Sequence, residues 1–277
     1  MKRAYTVVDV FSAVPLRGNP LAVVHAAQGL ADAQMQAYAR WTNLSETTFL
    51  LPPTDARADY RVRIFTPHRE LPFAGHPTLG SCHAWLEAGG FARADTEVVQ
   101  QCTAGLIHIR RSGARLAFAA PPRLRTGPLE GELLARIAKA LSLRAEDVLA
   151  HQWVDNGPGW AAVRVRSADT VLNLQIDWSA LGGIKLGVVG PHDPGHDAQF
   201  EVRALIGAGA GYEDPVTGSL NASLAQWLIE SGAAPEVYVA AQGTCLQRAG
   251  RVYIVREAGT VWVGGASVSR VRGELTL

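Results

Sequence analysis

Three short stretches of this sequence put proton-carrying or anion-binding side chains beside glycine and proline. WTNLSETTFLLPP carries Glu46, LPFAGHPTLG carries Gly75 and His76, and YEDPVTGSLN carries Asp214, Thr217, Gly218 and Ser219. Glu46 has apolar and β-branched neighbours and is expected on the strand around Thr47–Leu51. A carboxylate seldom faces inward without a partner or a task. Partial burial raises its pKa towards neutrality, the range in which a base can also return its proton. The alternative is a solvent-facing strand residue. The two glycine-bearing turns each lead into a helix, and a helix start offers unpaired N–H groups to a carboxylate or phosphate. Pro77, Thr78 and Thr217 are equally consistent with plain caps. His76 and Asp214 are not the cheapest caps, and both adjoin the glycines.

The elements that must position these residues occur twice. YRVRIFTPHRELPFAGHPTLGSCHAWLEAGG starts at Tyr60 and FEVRALIGAGAGYEDPVTGSLNASLAQWLIESGA at Phe200. Pro72 and Gly75 recur as Pro215 and Gly218, 143 residues on. The helices that follow close on Trp85-Leu86-Glu87 and Trp227-Leu228 with Glu230. Further strands start at Glu97 and Glu236, and hairpins turn at Gly113 and Gly259. Helices are also expected at Ala31–Trp41 and Glu130–Leu141, one for each copy. Self-similarity of this kind predicts a duplicated unit. The expected fold is α+β: two similar pseudo-symmetric halves, each a mostly antiparallel sheet wrapped around a central helix. The Pro-rich segment at Pro121 separates residues 1–119 from 120–277, with the last strand, about 268–277, returning to the first half. A ligand site is expected in the cleft between the halves.

Composition narrows the function. Hydrophobic residues make up 48% and charged residues 18%, so a filled core is expected and disorder is not. A net charge of +1 without a basic stripe argues against nucleic-acid binding. No apolar run approaches a membrane span, and the N-terminus lacks an h-region. Cys82, Cys102 and Cys245 form no CxxC pair; with an odd count they fit a reducing cytoplasm, Cys82 as a buried helix residue and Cys102 and Cys245 as small apolar residues. No metal site is expected: His192 and His196 lie in a Pro/Gly loop and read as solvated. Gly207-Ala-Gly209-Ala-Gly211 lacks the glycine spacing of a dinucleotide loop. Asn156-Gly157-Pro158-Gly159 is turn chemistry whose backbone could approach the cleft.

DVFSAVPLRGNPLAVV, NLSETTFLLP, FTPHRELPFAGHPTLG and GYEDPVTGSLNASLAQWL together resemble the PhzF-like (phenazine biosynthesis) family over essentially the whole chain. The resemblance implies a diaminopimelate-epimerase-like fold, a homodimer and an isomerase without cofactor or metal. It implies that Glu46 moves a proton from one carbon to another, that His76 and Asp214 hold polar groups and assist, and that Gly218 and Ser219 bind the substrate carboxylate. Gly75 takes the mirrored backbone role. Related racemases on this fold use two thiols at these turns, where this chain has Ala74 and Thr217. Leu220-Asn221-Ala222 departs from the best-known members and implies an altered pocket wall. The implied reaction is that of trans-2,3-dihydro-3-hydroxyanthranilate isomerase. The alternatives are an epimerase or lyase on another amino-acid derivative, or a small-molecule binding protein without catalysis.

Overall fold

Runs rich in Val, Ile, Thr and aromatic residues form the strands, as their fit to a pleated, half-buried surface requires. In the computed structural model, which describes residues 1–277, the chain divides into two units: residues 1–119 with 264–277, and residues 120–263.

The first unit contains β1 (Lys2–Val10), β2 (Asn19–Val24), α1 (Asp32–Thr42), β3 (Thr47–Leu51), β4 (Tyr60–Phe65), β5 (Glu70–Leu71), α2 (Gly75–Glu87), β6 (Glu97–Cys102), β7 (Gly105–Ser112), β8 (Arg115–Ala119) and most of β16 (Thr260–Thr276). Pairing runs β1-β2-β3-β4-β6-β7-β8-β16 and returns to β1, so eight strands close into a barrel without a free edge. β2–β3 and β4–β6 are parallel. β1–β2, β3–β4, β4–β5, β6–β7, β7–β8 and β1–β16 are antiparallel. Helix α2 is buried from Gly75 to Cys82 and again at Ala84, and it packs against β1, β2, β3, β6 and β8. Small residues allow that approach. A Cβ on Gly80 would come within 2.6 Å of the Leu21 side chain and 2.8 Å of Val10. Helix α1 covers β3 and β4, with Met35, Tyr38 and Ala39 clustered on Phe49 and Phe65.

The second unit contains α3 (Gly131–Ala140), β9 (Ala150–Trp153), β10 (Trp160–Arg164), α4 (Ala168–Leu172), α5 (Trp178–Leu181), β11 (Lys185–Pro191), β12 (Phe200–Ile206), β13 (Tyr212–Asp214), α6 (Gly218–Glu230), β14 (Val237–Gln242), β15 (Gly250–Glu257) and the start of β16. The strand order is β9-β10-β11-β12-β14-β15-β16, with β13 paired to β12. β10–β11 and β12–β14 are parallel. β9–β10, β11–β12, β12–β13 and β14–β15 are antiparallel. Ile137, Leu141, Val163, Leu181, Leu186, Val188 and Leu205 belong to its core.

Three expectations change. α3 precedes β9, whereas α1 follows β2; the place of α1 is taken in the second unit by α4 and α5, between β10 and β11. That unit therefore has four helices rather than two, because the one-sided apolar face of α3 (Leu133, Leu134, Ile137) adds a cover of its own. Glu46 stands immediately before β3 rather than on it. Cys245 is exposed, since Gly243, with φ of 88°, turns the chain out of β14 into a 3₁₀ turn. No helix is long and apolar enough to cross a membrane.

Candidate active site

In the first unit the loop before β3 and the first turn of α2 bring Glu46 and His76 together. Glu46 Oε2 lies 3.2 Å from His76 Nδ1, with side chains 16% and 6% exposed. Gly75 is the first residue of the helix and His76 the second, after Ala74 as N-cap. Burial pushes the His76 imidazole down to about 3, and a hydrogen bond to the Pro20 backbone pulls the other way. Burial therefore keeps the imidazole neutral, with Nδ1 facing the Glu46 carboxyl.

Pro20 is held there by the chain before it. The buried Asp9 carboxylate accepts from the amides of Arg17, at 3.1 Å, and Gly18, at 2.9 Å. Burial raises its pKa, while those amides, that of Leu16 and Arg270 oppose the rise. A Cβ on Gly18 would lie 2.3 Å from the Val10 carbonyl oxygen, so only glycine passes. Arg63 on β4 grips Glu70 on β5 with two hydrogen bonds of 2.8 and 2.7 Å, tying down the segment that enters α2.

The sign of the pH effect follows from His76. Its folded pKa lies below the unfolded value of about 6.5, so the unfolded chain binds a proton first as pH falls. The contribution is complete above pH 6.5 and is lost as pH drops from there towards 3. The expected slope is up to about 1.4 kcal/mol per pH unit in urea unfolding, flattened in His76→Asn. Equal slopes for both proteins would refute a buried neutral His76, as would a His76 ring resonance titrating near pH 6.5.

In the second unit Asp214 ends β13, and its Oδ2 accepts a hydrogen bond from the Thr217 hydroxyl. Thr217 is the N-cap of α6, followed by Gly218 and Ser219 as the first two helical residues. The Trp160 indole donates to Ser219 Oγ at 3.1 Å, so the serine keeps its own O–H to offer elsewhere. Asn156 Nδ2 donates to the Ser219 carbonyl at 2.9 Å. The Asn-Gly-Pro-Gly turn thus reaches the serine through a side chain rather than through its backbone. Asp155 shapes that turn by accepting from the Gly157 and Gly159 amides at 2.7 and 2.6 Å. Arg203 on β12 clamps Glu213 on β13 at 3.0 and 2.8 Å, beside Asp214.

Trp160, Arg63, Glu70, Arg203 and Glu213 carry no role in the sequence reading, and Asn156 only that of a turn residue. Arg63–Glu70 and Arg203–Glu213 do recur at nearly the repeat's spacing, and that signal could have found them. Leu220 and Asn221, the departure noted in the sequence, both lie buried in the first turns of α6. Leu220 is fully buried where a Cβ on Gly187 would meet it at 2.5 Å. The Asn221 amide is used by the Thr217 carbonyl and Gln242. Burial pushes the Cys82 thiol up to about 12, which keeps it protonated at neutral pH. His192 pairs with Glu201 at 3.1 Å and stacks on His196.

The PhzC-PhzF family, phenazine biosynthesis-like proteins, matches residues 8–273. The chain belongs to this family. As a phenazine biosynthesis-like protein it is 34% identical over 264 residues to Antisense-enhancing sequence 1 of Schizosaccharomyces pombe, covering 89% of this chain and 88% of that one. It is 35% identical over 234 residues to trans-2,3-dihydro-3-hydroxyanthranilate isomerase of Pseudomonas fluorescens, covering 82% and 80%. A solved structure described as a predicted epimerase of Pseudomonas aeruginosa matches with a TM-score of 0.80 at 30% identity, covering 99% of each chain. This member of the phenazine biosynthesis-like family is an isomerase.

Proposed function

We propose that the chain moves a proton between two carbons of a small carboxylated substrate, as a trans-2,3-dihydro-3-hydroxyanthranilate isomerase does, using its own side chains and no cofactor. The observation that carries this reading is the contact of Glu46, before β3, with the buried His76 at the start of α2. Glu46 removes the proton from one carbon and returns it to the other. His76, neutral in this setting, keeps the carboxyl group oriented through the Nδ1–Oε2 contact. Asp214 holds a polar group of the substrate. The Gly218 and Ser219 amides and the Ser219 hydroxyl take its carboxylate, as a helix start favours. Gly75 offers its amide in the same way in the first unit. Related racemases use two thiols at these turns, where this chain has Ala74 and Thr217 as the helix N-caps, so the proposal is not two-thiol racemisation.

We further infer that the two units are copies of one diaminopimelate-epimerase-like unit, each sheet wrapped around its own buried helix. What supports this is the order of pairings. β1–β2, β2–β3, β3–β4, β4–β5, β4–β6 and β6–β7 have the same senses as β9–β10, β10–β11, β11–β12, β12–β13, β12–β14 and β14–β15. A cytoplasmic homodimer belongs to the same proposal.

The test is to incubate the protein with trans-2,3-dihydro-3-hydroxyanthranilate in deuterated buffer, following absorbance and mass. Isomerisation with one solvent deuteron at the new C–H position is the expected result. No turnover over hours at micromolar enzyme would remove this substrate from the proposal. Conversion without deuterium uptake would mean that the carboxyl hands on the same proton before it exchanges with solvent.

A further inference from the structure

We propose that Gln242 is a positioning residue that sets the direction of the Thr217 hydroxyl and, through it, the orientation of Asp214; this rests on the role given to Asp214 above. Gln242 ends β14 and is fully buried. Its Oε1 accepts from the Thr217 amide at 3.0 Å and from Asn221 Nδ2 at 2.7 Å. The Thr217 amide is a donor with nothing to accept, so it fixes which end of the Gln242 amide faces the turn. Nε2 is therefore the donating end, and it gives one hydrogen bond to the Asp214 carbonyl and one to Thr217 Oγ1, both 3.0 Å. A hydroxyl that has accepted from Nε2 has one proton left, and that proton goes to Asp214 Oδ2. The chain Gln242 Nε2–H to Thr217 Oγ–H to Asp214 Oδ2 thus runs in one direction only. It keeps one carboxylate oxygen occupied and the turn before α6 in one shape.

The first unit carries a related grip, which marks the position as one the fold uses. Gln100 on β6 is also fully buried, accepts from the Tyr60 hydroxyl at 2.7 Å and donates to Thr78 Oγ1 at 3.0 Å. Thr78 and Asn221 are each the fourth residue of their helix, 143 positions apart. Gln100 pairs with Tyr60, and the matching pair in the second unit is Ala240 with Phe200. Gln242 lies two residues further along its strand, which leaves its side chain on the same face. The second unit's grip extends from the helix to the N-cap and to Asp214, and Gln100 has no such extension.

The test uses the full chain with Gln242→Met, Thr217→Val and the double variant, each checked for folding by circular dichroism and melting. With trans-2,3-dihydro-3-hydroxyanthranilate, each single variant is expected to lose about 10- to 100-fold in kcat, the scale of a misplaced catalytic group. The double variant is expected to lose no more than Gln242→Met alone, because Thr217 acts inside the same chain of bonds. A folded single variant within threefold of wild-type kcat would overturn the proposal. So would a double variant whose loss is the product of the two, which is what independent structural damage gives. Should Gln242→Met not fold, Thr217→Val alone decides, since it keeps the backbone amide and the shape. A readout free of any substrate separates this proposal from the functional one. The Gln242 side-chain NH₂ resonances, assigned by their loss in Gln242→Met or by selective labelling, are expected to be protected from solvent and to shift in Thr217→Val. Freely exchanging or unmoved resonances overturn the clamp. Intact clamp resonances in a wild type that does not turn over the substrate overturn only the functional reading.

Discussion

Glu46→Gln is expected to lower turnover by about 100-fold or more while leaving the fold intact, the range that loss of a general acid/base produces. The reasoning rests on how little else the change removes. Glutamine has the shape of glutamate, and either end of its amide can meet His76 Nδ1, 3.2 Å from the native carboxylate. What it cannot do is take a proton and return it. A solvent base has poor access to replace the carboxylate, because the Glu46 and His76 side chains are only 16% and 6% exposed. The checks are kcat, deuterium uptake and melting measured together. Residual activity within tenfold of wild type would assign the proton transfer to another group.

The largest effect on stability is expected from Glu213→Ala, at about 3–5 kcal/mol, the cost of leaving one buried ion without its partner. Arg203 and Glu213 have side chains 8% and 4% exposed. Without the carboxylate, the guanidinium keeps only the Val171 and Leu174 carbonyls, both at 3.3 Å. The contrast in the first unit is Arg63–Glu70, 16% and 31% exposed, with Asp32 as a second partner. There Glu70→Ala is expected to cost about 1 kcal/mol or less, because water screens and replaces the contact. Replacing Arg203 and Glu213 together by Met and Leu is expected to recover most of the loss. Urea midpoints with slopes decide the matter, and a Glu213→Ala cost below 1 kcal/mol would sink the argument. Because Glu213 adjoins Asp214, turnover should fall along with stability.

The turns were legible because helix starts have a local chemistry. Gly75 and His76, and Gly218 and Ser219, are written next to one another, and their spacing repeats. The strands were legible through β-branched runs such as Thr47–Leu51. What holds the turns was not legible, because its partners are distant in the chain. Gln242 meets Thr217 from 25 residues away, and Trp160 meets Ser219 from 59. One sequence carries no signal for such contacts beyond residue type, and a buried glutamine looks like any other. Glu46 was read onto a strand because its neighbours are β-branched, yet hydrogen bonding in β3 starts one residue later, at Thr47. Element ends are the part that periodicity reads least well. Cys245 was read as apolar filling; its place on an exposed 3₁₀ turn depends on Gly243, whose positive φ a sequence does not announce.

The closing strand also sets an order of events during synthesis. β1 is made long before its antiparallel partner, residues 267–276. At the end of this contact the Met1 amino group meets the Leu277 carbonyl at 2.7 Å. Until then β1 has only β2 beside it, and one edge stays open to any extended chain. Pairing between segments so far apart in the chain is entropically late, so barrel closure is a slow step of folding. The nascent first unit is therefore the aggregation-sensitive stage of this protein's life. Chaperone demand and expression yield should respond to changes in residues 264–277, which close the barrel on β1.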